Sequence, residues 1–218
     1  MCKIEIFSFN PFQVNTYVLY DETGECAIID PACYEPHEEK ELADFISSKG
    51  LKPVLQLYTH CHIDHVLGTN FVSKKYGLKP LTHKESAVFI DNAKVYGESF
   101  GFELDELVKP EKWLEENEII SFGNQKLKTL HTPGHAAGSL CFYNEDNKFV
   151  ICGDVLFQGS IGRTDLPTGD YDLLIKSIKE KLLSLPEDVV VYSGHGPQST
   201  IGFEKANNPF LNNGPDHQ

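Results

Sequence analysis

The chain has 218 residues, of which 40% are hydrophobic and 23% are charged. This length and composition are typical of a folded protein with a sizeable core and exclude a largely disordered chain. Nineteen basic and 32 acidic residues give a formal net charge of −13, which disfavours binding to nucleic acid or to an anionic membrane surface.

No apolar run reaches the length of a transmembrane helix, and the N-terminal segment Met1-Cys2-Lys3-Ile4-Glu5 does not resemble a signal peptide. The six cysteines form no Cys-x-x-Cys pair, so neither a zinc ribbon nor a thioredoxin-type motif is indicated. We therefore expect a cytoplasmic protein whose thiols are reduced.

Three strands are predicted within the first thirty residues. Apolar residues from Ile4 to Phe9, the β-branched and aromatic run 14–20 and the apolar run 26–30 are separated by two turn signals. Three short strands in succession predict an antiparallel meander.

The next segment changes to helical spacing. An amphipathic helix is predicted over 38–49 and ends at Gly50, and a short buried strand is predicted over 54–58. A second helix is predicted over 66–76 and ends at Gly77. Residues 83–110 indicate a helical stretch followed by an acidic loop.

The second half alternates strands and one long helix. Strands are predicted at 126–131, 138–143, 149–152 and 189–192, and a helix at 171–183. We expect one mixed α/β domain over residues 1–211, built from two packed sheets with helices outside, and a loose polar tail at 212–218.

The segment His60-Cys61-His62-Ile63-Asp64-His65 follows a predicted buried strand and carries four potential metal ligands. Alternate residues of an extended segment point to the same side, so His60 and His62 can bind one ion. Asp64 and His65 then lie in reach of a second ion.

Three more potential ligands, His135, Asp154 and His195, follow other predicted strands, where α/β folds gather functional groups. Five imidazoles and two carboxylates without a thiolate suit Zn, Fe, Mn or Ni, and we expect Zn first, with Fe or Mn as alternatives. Because one ion takes about four ligands, seven predict two divalent ions with one bridging carboxylate. The small positive charge that results favours an acidic small-molecule substrate.

Four motifs resemble those of the metallo-β-lactamase-fold hydrolases: the segment 60–65, Thr132-Pro133-Gly134-His135, Gly153-Asp154 and Gly194-His195-Gly196. The stretch 153–167, which contains Gly162-Arg163-Thr164-Asp165, resembles the glyoxalase II-like branch. The resemblance covers nearly the whole chain. It implies a four-layer αββα sandwich with a dinuclear site at one edge of the sheets.

The resemblance also implies how the ligands are shared. His60, His62 and His135 would hold the first ion, Asp64, His65 and His195 the second, and Asp154 would bridge them. Only residues 196–218 follow His195, so the C-terminal helical domain that binds glutathione in glyoxalase II is not expected here.

Two adjacent divalent ions lower the pKa of a shared water, and the bridging hydroxide that forms can attack a carbonyl carbon. Asp64 is predicted to orient this hydroxide and to accept its proton. The motifs contain no obvious general acid, and a thiol with a pKa of about 8.5 leaves as thiolate without one. We therefore predict hydrolysis of an acyl thioester such as S-lactoylglutathione.

Two other functions stay open. A mononuclear iron persulfide dioxygenase would use His60, His135 and Asp154 on one ion, and it shares the Gly-Arg-Thr-Asp segment, but Leu166-Pro167 after that segment favours the hydrolase. A non-catalytic metal-binding protein on the same fold is the second alternative.

For the remaining candidate residues we expect structural rather than functional roles. Arg163, the only arginine, is expected to pair with an acid such as Asp165, with binding of a substrate carboxylate as the alternative. Cys61 is predicted to be a packed thiol and His131 an ordinary core or turn histidine. The histidines predicted to lie on the surface are His37, His83 and His217.

Overall fold

A computed structural model describes residues 1–212 of the chain. Its strands are β1 (Lys3–Phe9), β2 (Val14–Tyr20), β3 (Glu25–Ile29), β4 (Lys52–Leu57), β5 (Pro80–Thr82), β6 (Lys112–Trp113), β7 (Ile119–Phe122), β8 (Gln125–His131), β9 (Leu140–Asn144), β10 (Phe149–Gly153), β11 (Leu156–Phe157), β12 (Ser160–Ile161), β13 (Val190–Ser193) and β14 (Ser199–Thr200).

The helices are α1 (Pro36–Ser48), α2 (Ile63–Val66), α3 (Thr69–Tyr76), α4 (Ala87–Asp91), α5 (Ala93–Ser99), α6 (Tyr171–Ser177), α7 (Ile201–Asn207) and α8 (Pro209–Asn212). A 3-10 turn at Lys84–Ser86 precedes α4, and a π-helical turn at Ile178–Leu182 extends α6. None of the helices within residues 1–212 is long and apolar enough to span a membrane.

The strands form two six-stranded sheets and one separate hairpin. The first sheet has the order β1-β2-β3-β4-β5-β6, antiparallel from β1 to β3 and parallel from β3 to β6. The second has the order β14-β13-β10-β9-β8-β7, in which only the β10–β13 pair is parallel. β11 and β12 pair with each other.

The core lies in three layers that follow from strand alternation. Between the sheets, Tyr17 and Leu57 pack with Phe142 and Ile151. The outer face of the first sheet packs against α1 and α3, and the outer face of the second against α6, α7 and α8. Because both faces of each sheet are covered, strands such as β2 are buried along almost their whole length. The predicted four-layer αββα sandwich is confirmed.

The predicted helix 66–76 is wrong in its first part. The chain forms two helices there, α2 and α3, which are separated at Leu67-Gly68. Gly68 donates its N–H to the Pro31 carbonyl at 2.9 Å, and a Cβ on Gly68 would lie 2.6 Å from Cys33 Sγ. This close approach of two segments breaks the helix, and sequence periodicity does not report it.

Several short elements lie outside the predictions, chiefly β5, β6, β7, β11, β12, β14 and the two C-terminal helices. The predicted tail at 212–218 lies outside the described residues except for Asn212, which ends α8. The single domain over 1–211 stays a prediction.

Candidate metal centre

The seven residues predicted as ligands lie together at one edge of the two sheets, on segments that follow strand ends. His60 and His62 follow β4, and Asp64 and His65 lie on α2. His135, Asp154 and His195 follow β8, β10 and β13. The possible ligand atoms fall into three overlapping groups, and within each group they lie within 4.8 Å of one another: His60, His62 and His135; His60, His65 and Asp154; and Asp64, His65 and His195.

Hydrogen bonds join the two sheets at this edge. The Asn15 N–H donates to the Gly194 carbonyl at 2.7 Å, and the Leu140 N–H donates to the Thr59 carbonyl at 2.7 Å. The Tyr17 hydroxyl donates to the Ser193 carbonyl at 2.6 Å. The segments that carry the seven residues are therefore fixed relative to one another by main-chain contacts.

The first group consists of three imidazoles whose nitrogen atoms lie close together. The His60 and His135 rings are nearly perpendicular, with an interplanar angle of 81°, and their Nε2 atoms lie 3.3 Å apart. The His62 ring centroid lies 4.7 Å from that of His60 and 4.6 Å from that of His135. Three imidazole nitrogens that lie this close together could bind one divalent ion.

Asp154 lies between this group and the second one. Its Oδ2 is 3.8 Å from His135 Nε2 and 3.4 Å from His195 Nε2, and its Oδ1 is 3.4 Å from His65 Nε2. Asp64 Oδ2 lies 3.4 Å from His195 Nε2 and 3.8 Å from His65 Nε2. A carboxylate that reaches both groups has the position of a bridging ligand.

Three buried polar atoms of this cluster have no hydrogen-bond partner: His62 Nε2, His65 Nε2 and Asp154 Oδ1. An unpaired buried nitrogen or carboxylate oxygen costs about 1–3 kcal/mol, so native proteins rarely tolerate one. Three such atoms in neighbouring groups of potential ligands, all of them nitrogen or oxygen, match the donor set that divalent zinc, iron or manganese prefers. The residues therefore fit a pair of divalent ions.

Burial keeps the imidazoles of the first group neutral. Desolvation, with a contribution from neighbouring histidines, holds the pKa of His60 well below its usual range and lowers that of His62 to about 3. Desolvation also lowers the pKa of His135. Neutral imidazoles present the free lone pair that metal coordination needs.

The second group has the opposite electrostatics. Burial opposes the charged form of His65, but the carboxylates of Asp64 and Asp154 outweigh it and hold the pKa of His65 well above its usual value. Burial of His195 is likewise outweighed by hydrogen bonds to Asp154 and Asp64, which raise its pKa to about 9. The two carboxylates thus favour positive charge at this position, which suits a divalent ion.

The far side of three imidazoles is held by hydrogen-bond acceptors. His65 Nδ1 lies 3.1 Å from Asp30 Oδ2, His135 Nδ1 lies 2.8 Å from the Arg163 carbonyl, and His195 Nδ1 lies 3.0 Å from the Phe12 carbonyl. Such contacts fix the ring orientation and leave Nε2 free to face the centre.

Asp30 is a site residue that the sequence reasoning missed. It directly follows β3, is 0% exposed and has a φ of 48°. Its carboxylate also accepts the Thr59 N–H at 2.7 Å and the Thr59 hydroxyl at 2.6 Å. The available signal was an acid at the end of a buried strand, the same signal that identified Asp154.

Two glycines allow the backbone to pass close to Asp154. A Cβ on Gly194 would lie 2.1 Å from Asp154 Oδ1, and a Cβ on Gly162 would lie 1.8 Å from the Asp154 carbonyl oxygen. Any larger residue at either position would displace the carboxylate or its main chain.

A cavity of about 460 Å³ opens beside the cluster. Asp154 and His195 form its base, and most of its walls come from β11, β12 and the segments that follow β12 and His195. Its size is in the range of small-molecule sites. The lining residues are Asp154, Phe157, Gln158, Ser160, Ile161, Arg163, His195, Gly196 and Pro197.

The other residues singled out in the sequence make contacts that are typical of a structural role. Arg163 donates from Nε and Nη2 to the two carboxylate oxygens of Asp165, both at 2.7 Å. The Cys61 thiol is buried, and its Sγ lies 3.8 Å from Thr82 Oγ1. His131 lies at the end of β8, where its Nε2 donates to the Ala137 carbonyl at 2.8 Å.

The prediction that His83 lies on the surface is wrong, because His83 is buried and stacks on His131. Together with Glu85 these residues form a fourth group of potential ligands. The two rings lie at 18° to each other with centroids 4.1 Å apart. Lone pairs in nearly parallel, stacked planes cannot converge on one ion, so this pair is a packing feature.

Comparison with known proteins identifies the family. The family model for the metallo-beta-lactamase superfamily matches residues 9–195, and the chain belongs to this superfamily. The probable metallo-hydrolase YqgX of Bacillus subtilis is 39% identical over 93% of this chain and 94% of its own. Hydroxyacylglutathione hydrolase GloC of Haemophilus influenzae is 37% identical over 96% of this chain and 98% of its own.

Two crystal structures share the fold closely. The B3 metallo-beta-lactamase BLEG-1 superposes with a TM-score of 0.87 at 34% identity, covering 97% of this chain and 100% of that one. TTHA1623 in a di-iron-bound form superposes with a TM-score of 0.85 at 37% identity, covering 95% and 100%. The predicted family is confirmed, and the comparisons support a metal-dependent hydrolase.

Proposed function

We propose that this metallo-β-lactamase superfamily member hydrolyses acyl thioesters with two divalent ions bound at the seven-residue cluster. The observation that carries the proposal is that three buried donor atoms of the cluster, His62 Nε2, His65 Nε2 and Asp154 Oδ1, have no hydrogen-bond partner. Asp154, together with His195, also lines a cavity. His60, His62 and His135 would hold one ion and Asp64, His65 and His195 the other, with Asp154 between them. Zinc, iron and manganese all suit this donor set.

Two bound ions would supply a water of lowered pKa and a Lewis acid for the carbonyl oxygen. Asp64 would accept the proton of the attacking water. Burial opposes its ionisation, but the neighbouring His65 outweighs burial and lowers the pKa of Asp64, so the side chain is a carboxylate at neutral pH. Asp64 points to the second group, as its 3.4 Å distance to His195 Nε2 shows.

The walls of the cavity support a thioester as the proposed substrate class. Besides the cluster residues, the described lining side chains offer one arginine, one glutamine, one serine and apolar groups, without a Tyr, Lys or Cys that could protonate a leaving group. An amide nitrogen must be protonated before it leaves, whereas a thiol with a pKa of about 8.5 leaves as thiolate.

Charge also favours an acidic substrate. Two divalent ions would outweigh the two cluster carboxylates, since the other five ligands are neutral when they bind metal. The site would then attract a small anion although the chain as a whole carries −13. We also propose the cytoplasm as the site of action, in line with six unpaired cysteines.

The GloC relative, which is named as a hydroxyacylglutathione hydrolase, makes S-lactoylglutathione the first substrate to test. Purified protein should contain about two ions of Zn, Fe or Mn per chain and should hydrolyse this thioester. His62→Ala should remove roughly one ion and lower kcat/KM about a hundredfold or more. His83→Ala is the matched control, because it removes another buried histidine outside the cluster and should leave both properties unchanged.

Three results would redirect the proposal. Oxygen uptake with glutathione persulfide and about one iron per chain would establish the dioxygenase instead. Turnover of a β-lactam but of no thioester would place this chain functionally with BLEG-1. Protein that binds metal but turns over none of these substrates would support the non-catalytic alternative.

A further inference from the structure

The hairpin β11–β12 forms one wall of the cavity beside the metal centre, and we call it the hairpin wall (Leu156–Ile161). Phe157 and Ile161 line the cavity from its two strands, and the Phe157 ring lies 6.3 Å from the His195 ring. The hairpin wall is not part of either six-stranded sheet. Leu156 anchors its first strand in the core, but its turn needs other contacts to hold its position.

Glu204 on α7 supplies those contacts. The Gly159 N–H at the turn lies 3.0 Å and 3.3 Å from the two carboxylate oxygens of Glu204. Glu204 is 0% exposed, and the Ser199 hydroxyl also donates to it. Because a buried carboxylate is costly unless several donors surround it, its position beneath this turn is strongly specified.

Asn208 completes the support from the other side of the turn. Its Nδ2 donates to Glu204 Oε2 at 2.7 Å and to the Ser160 carbonyl at 3.1 Å. Asn208 is 0% exposed as well, and it lies one helical turn after Glu204. Glu204 therefore binds the N–H of Gly159, and Asn208 binds the carbonyl of Ser160, the next residue of the hairpin.

Neither side chain lines the cavity, so both can affect a bound substrate only through the backbone of the hairpin wall. We infer that Glu204 on α7 and Asn208 directly after α7 are positioning residues that preform the substrate-binding wall. The inference rests on the proposed function for the choice of substrate, and it adds a specific role for α7.

A loosened wall should affect KM more than kcat. Contacts between the wall and the non-reacting part of a substrate are equally present before and during the reaction, and such uniform binding appears in KM. Cluster residues such as His65 and His195 are held by segments outside the hairpin wall, through Asp30 and the Phe12 carbonyl. The reacting groups should therefore keep their geometry.

Glu204→Gln is the direct test. The Gln side chain has nearly the size of Glu, but its NH₂ group would face the Gly159, Ser199 or Asn208 donors. We expect KM for S-lactoylglutathione to rise about tenfold while kcat stays within about threefold and metal content is unchanged. Hydrogen–deuterium exchange of the peptide 156–162 should become faster. Asn208→Ala should change KM and exchange in the same direction.

Asp21→Asn is the matched control. Asp21 is also a buried carboxylate with several donors, namely Thr23, Asn124 and Gln125. It lies after β2, at the end of the sandwich opposite the metal centre. Its replacement should lower the melting temperature but leave KM and exchange of 156–162 as in the wild type.

The inference is overturned if KM stays within about twofold of the wild type in both Glu204→Gln and Asn208→Ala, or if exchange of 156–162 does not change. It is also overturned if kcat and metal content fall at constant KM, because Glu204 would then act on the metal ligands. If Glu204→Gln does not fold, Asn208→Ala decides alone. If the wild type turns over no thioester, the proposed function is wrong, and the exchange experiment decides the role of Glu204 by itself.

Discussion

Replacing Asp30 by Asn should weaken metal binding at the second position without unfolding the chain. Asp30→Ala would leave three buried donors without an acceptor, two from Thr59 and one from His65. At about 1–3 kcal/mol for each donor, this loss approaches the stability of a whole domain. Asn avoids most of it and also tolerates the left-handed φ of 48° at this position.

The size of the effect on metal affinity depends on which ring nitrogen of His65 carries the proton. In Asp30→Asn the carbonyl oxygen can keep the Thr59 N–H, which leaves the NH₂ group to face His65 Nδ1. His65 can accept that contact only as the tautomer that carries its proton on Nε2, the atom that faces the centre. We expect the free energy of unfolding to fall by about 1–3 kcal/mol and affinity for the second ion to fall about 10–100-fold.

Two measurements separate these effects. Urea unfolding gives the stability, and titration with zinc against a competing chelator gives the affinity of each ion. Asp21→Asn is the control, since it removes a buried carboxylate at the far end of the sandwich and should lower stability alone. If Asp30→Asn bound both ions as the wild type does, the argument that Asp30 sets the His65 tautomer would be refuted.

Gly162→Ala should abolish most hydrolysis and metal loading, because its Cβ would lie 1.8 Å from the Asp154 carbonyl oxygen and 3.1 Å from His135 Nδ1. Gly77→Ala is the control, because a Cβ at this position has nothing within 4 Å. It should lower the free energy of unfolding in urea by only about 1 kcal/mol through backbone strain. Equal loss of metal in both variants would contradict the steric argument. Removal of metal with a chelator should lower the unfolding free energy by about 2.7 kcal/mol for each ion that was present at a hundred times its Kd. Thermal unfolding with and without added zinc measures this change. An unchanged midpoint would mean that no ion binds the folded state. The same acyl group on glutathione should give a kcat/KM at most about tenfold above that on the neutral thiol N-acetylcysteamine. The positive charge of the site with two ions would attract the anionic thioester, but Arg163, the one cationic side chain other than histidine among the described cavity residues, already pairs with Asp165. A preference for glutathione of about a hundredfold or more in initial rates would show that its carboxylates are recognised.

The longer elements were predictable from the sequence because their periodicity and their packing agree. The three N-terminal strands, the strand before His60 and the helix that starts at Tyr171 lie within a few residues of their predicted bounds. The helix predicted at 38–49 starts earlier, at Pro36, because Pro suits the first helical turn. The seven cluster residues also lie on segments that directly follow predicted strands, so the cluster could be inferred without coordinates.

What could not be predicted depends on contacts between distant segments. Asp30 and Glu204 are single acids without a motif, and their roles appear only when β3 lies beside α2 and when α7 lies beneath the hairpin wall. The short strands β5, β6 and β11 have two or three residues, too few for a period to show. The break between α2 and α3 is set by the approach of Pro31 and Cys33 to Gly68.

The unpartnered buried polar atoms concentrate at one edge of the sandwich, and this concentration argues that the edge is functional. Four buried side-chain polar atoms in residues 1–212 have no partner, and three of them belong to the ligand cluster. A folded chain keeps such costs where another interaction offsets them. Ions bound between residues of the two sheets would satisfy all three atoms at once, and their binding free energy would add to the stability of the fold.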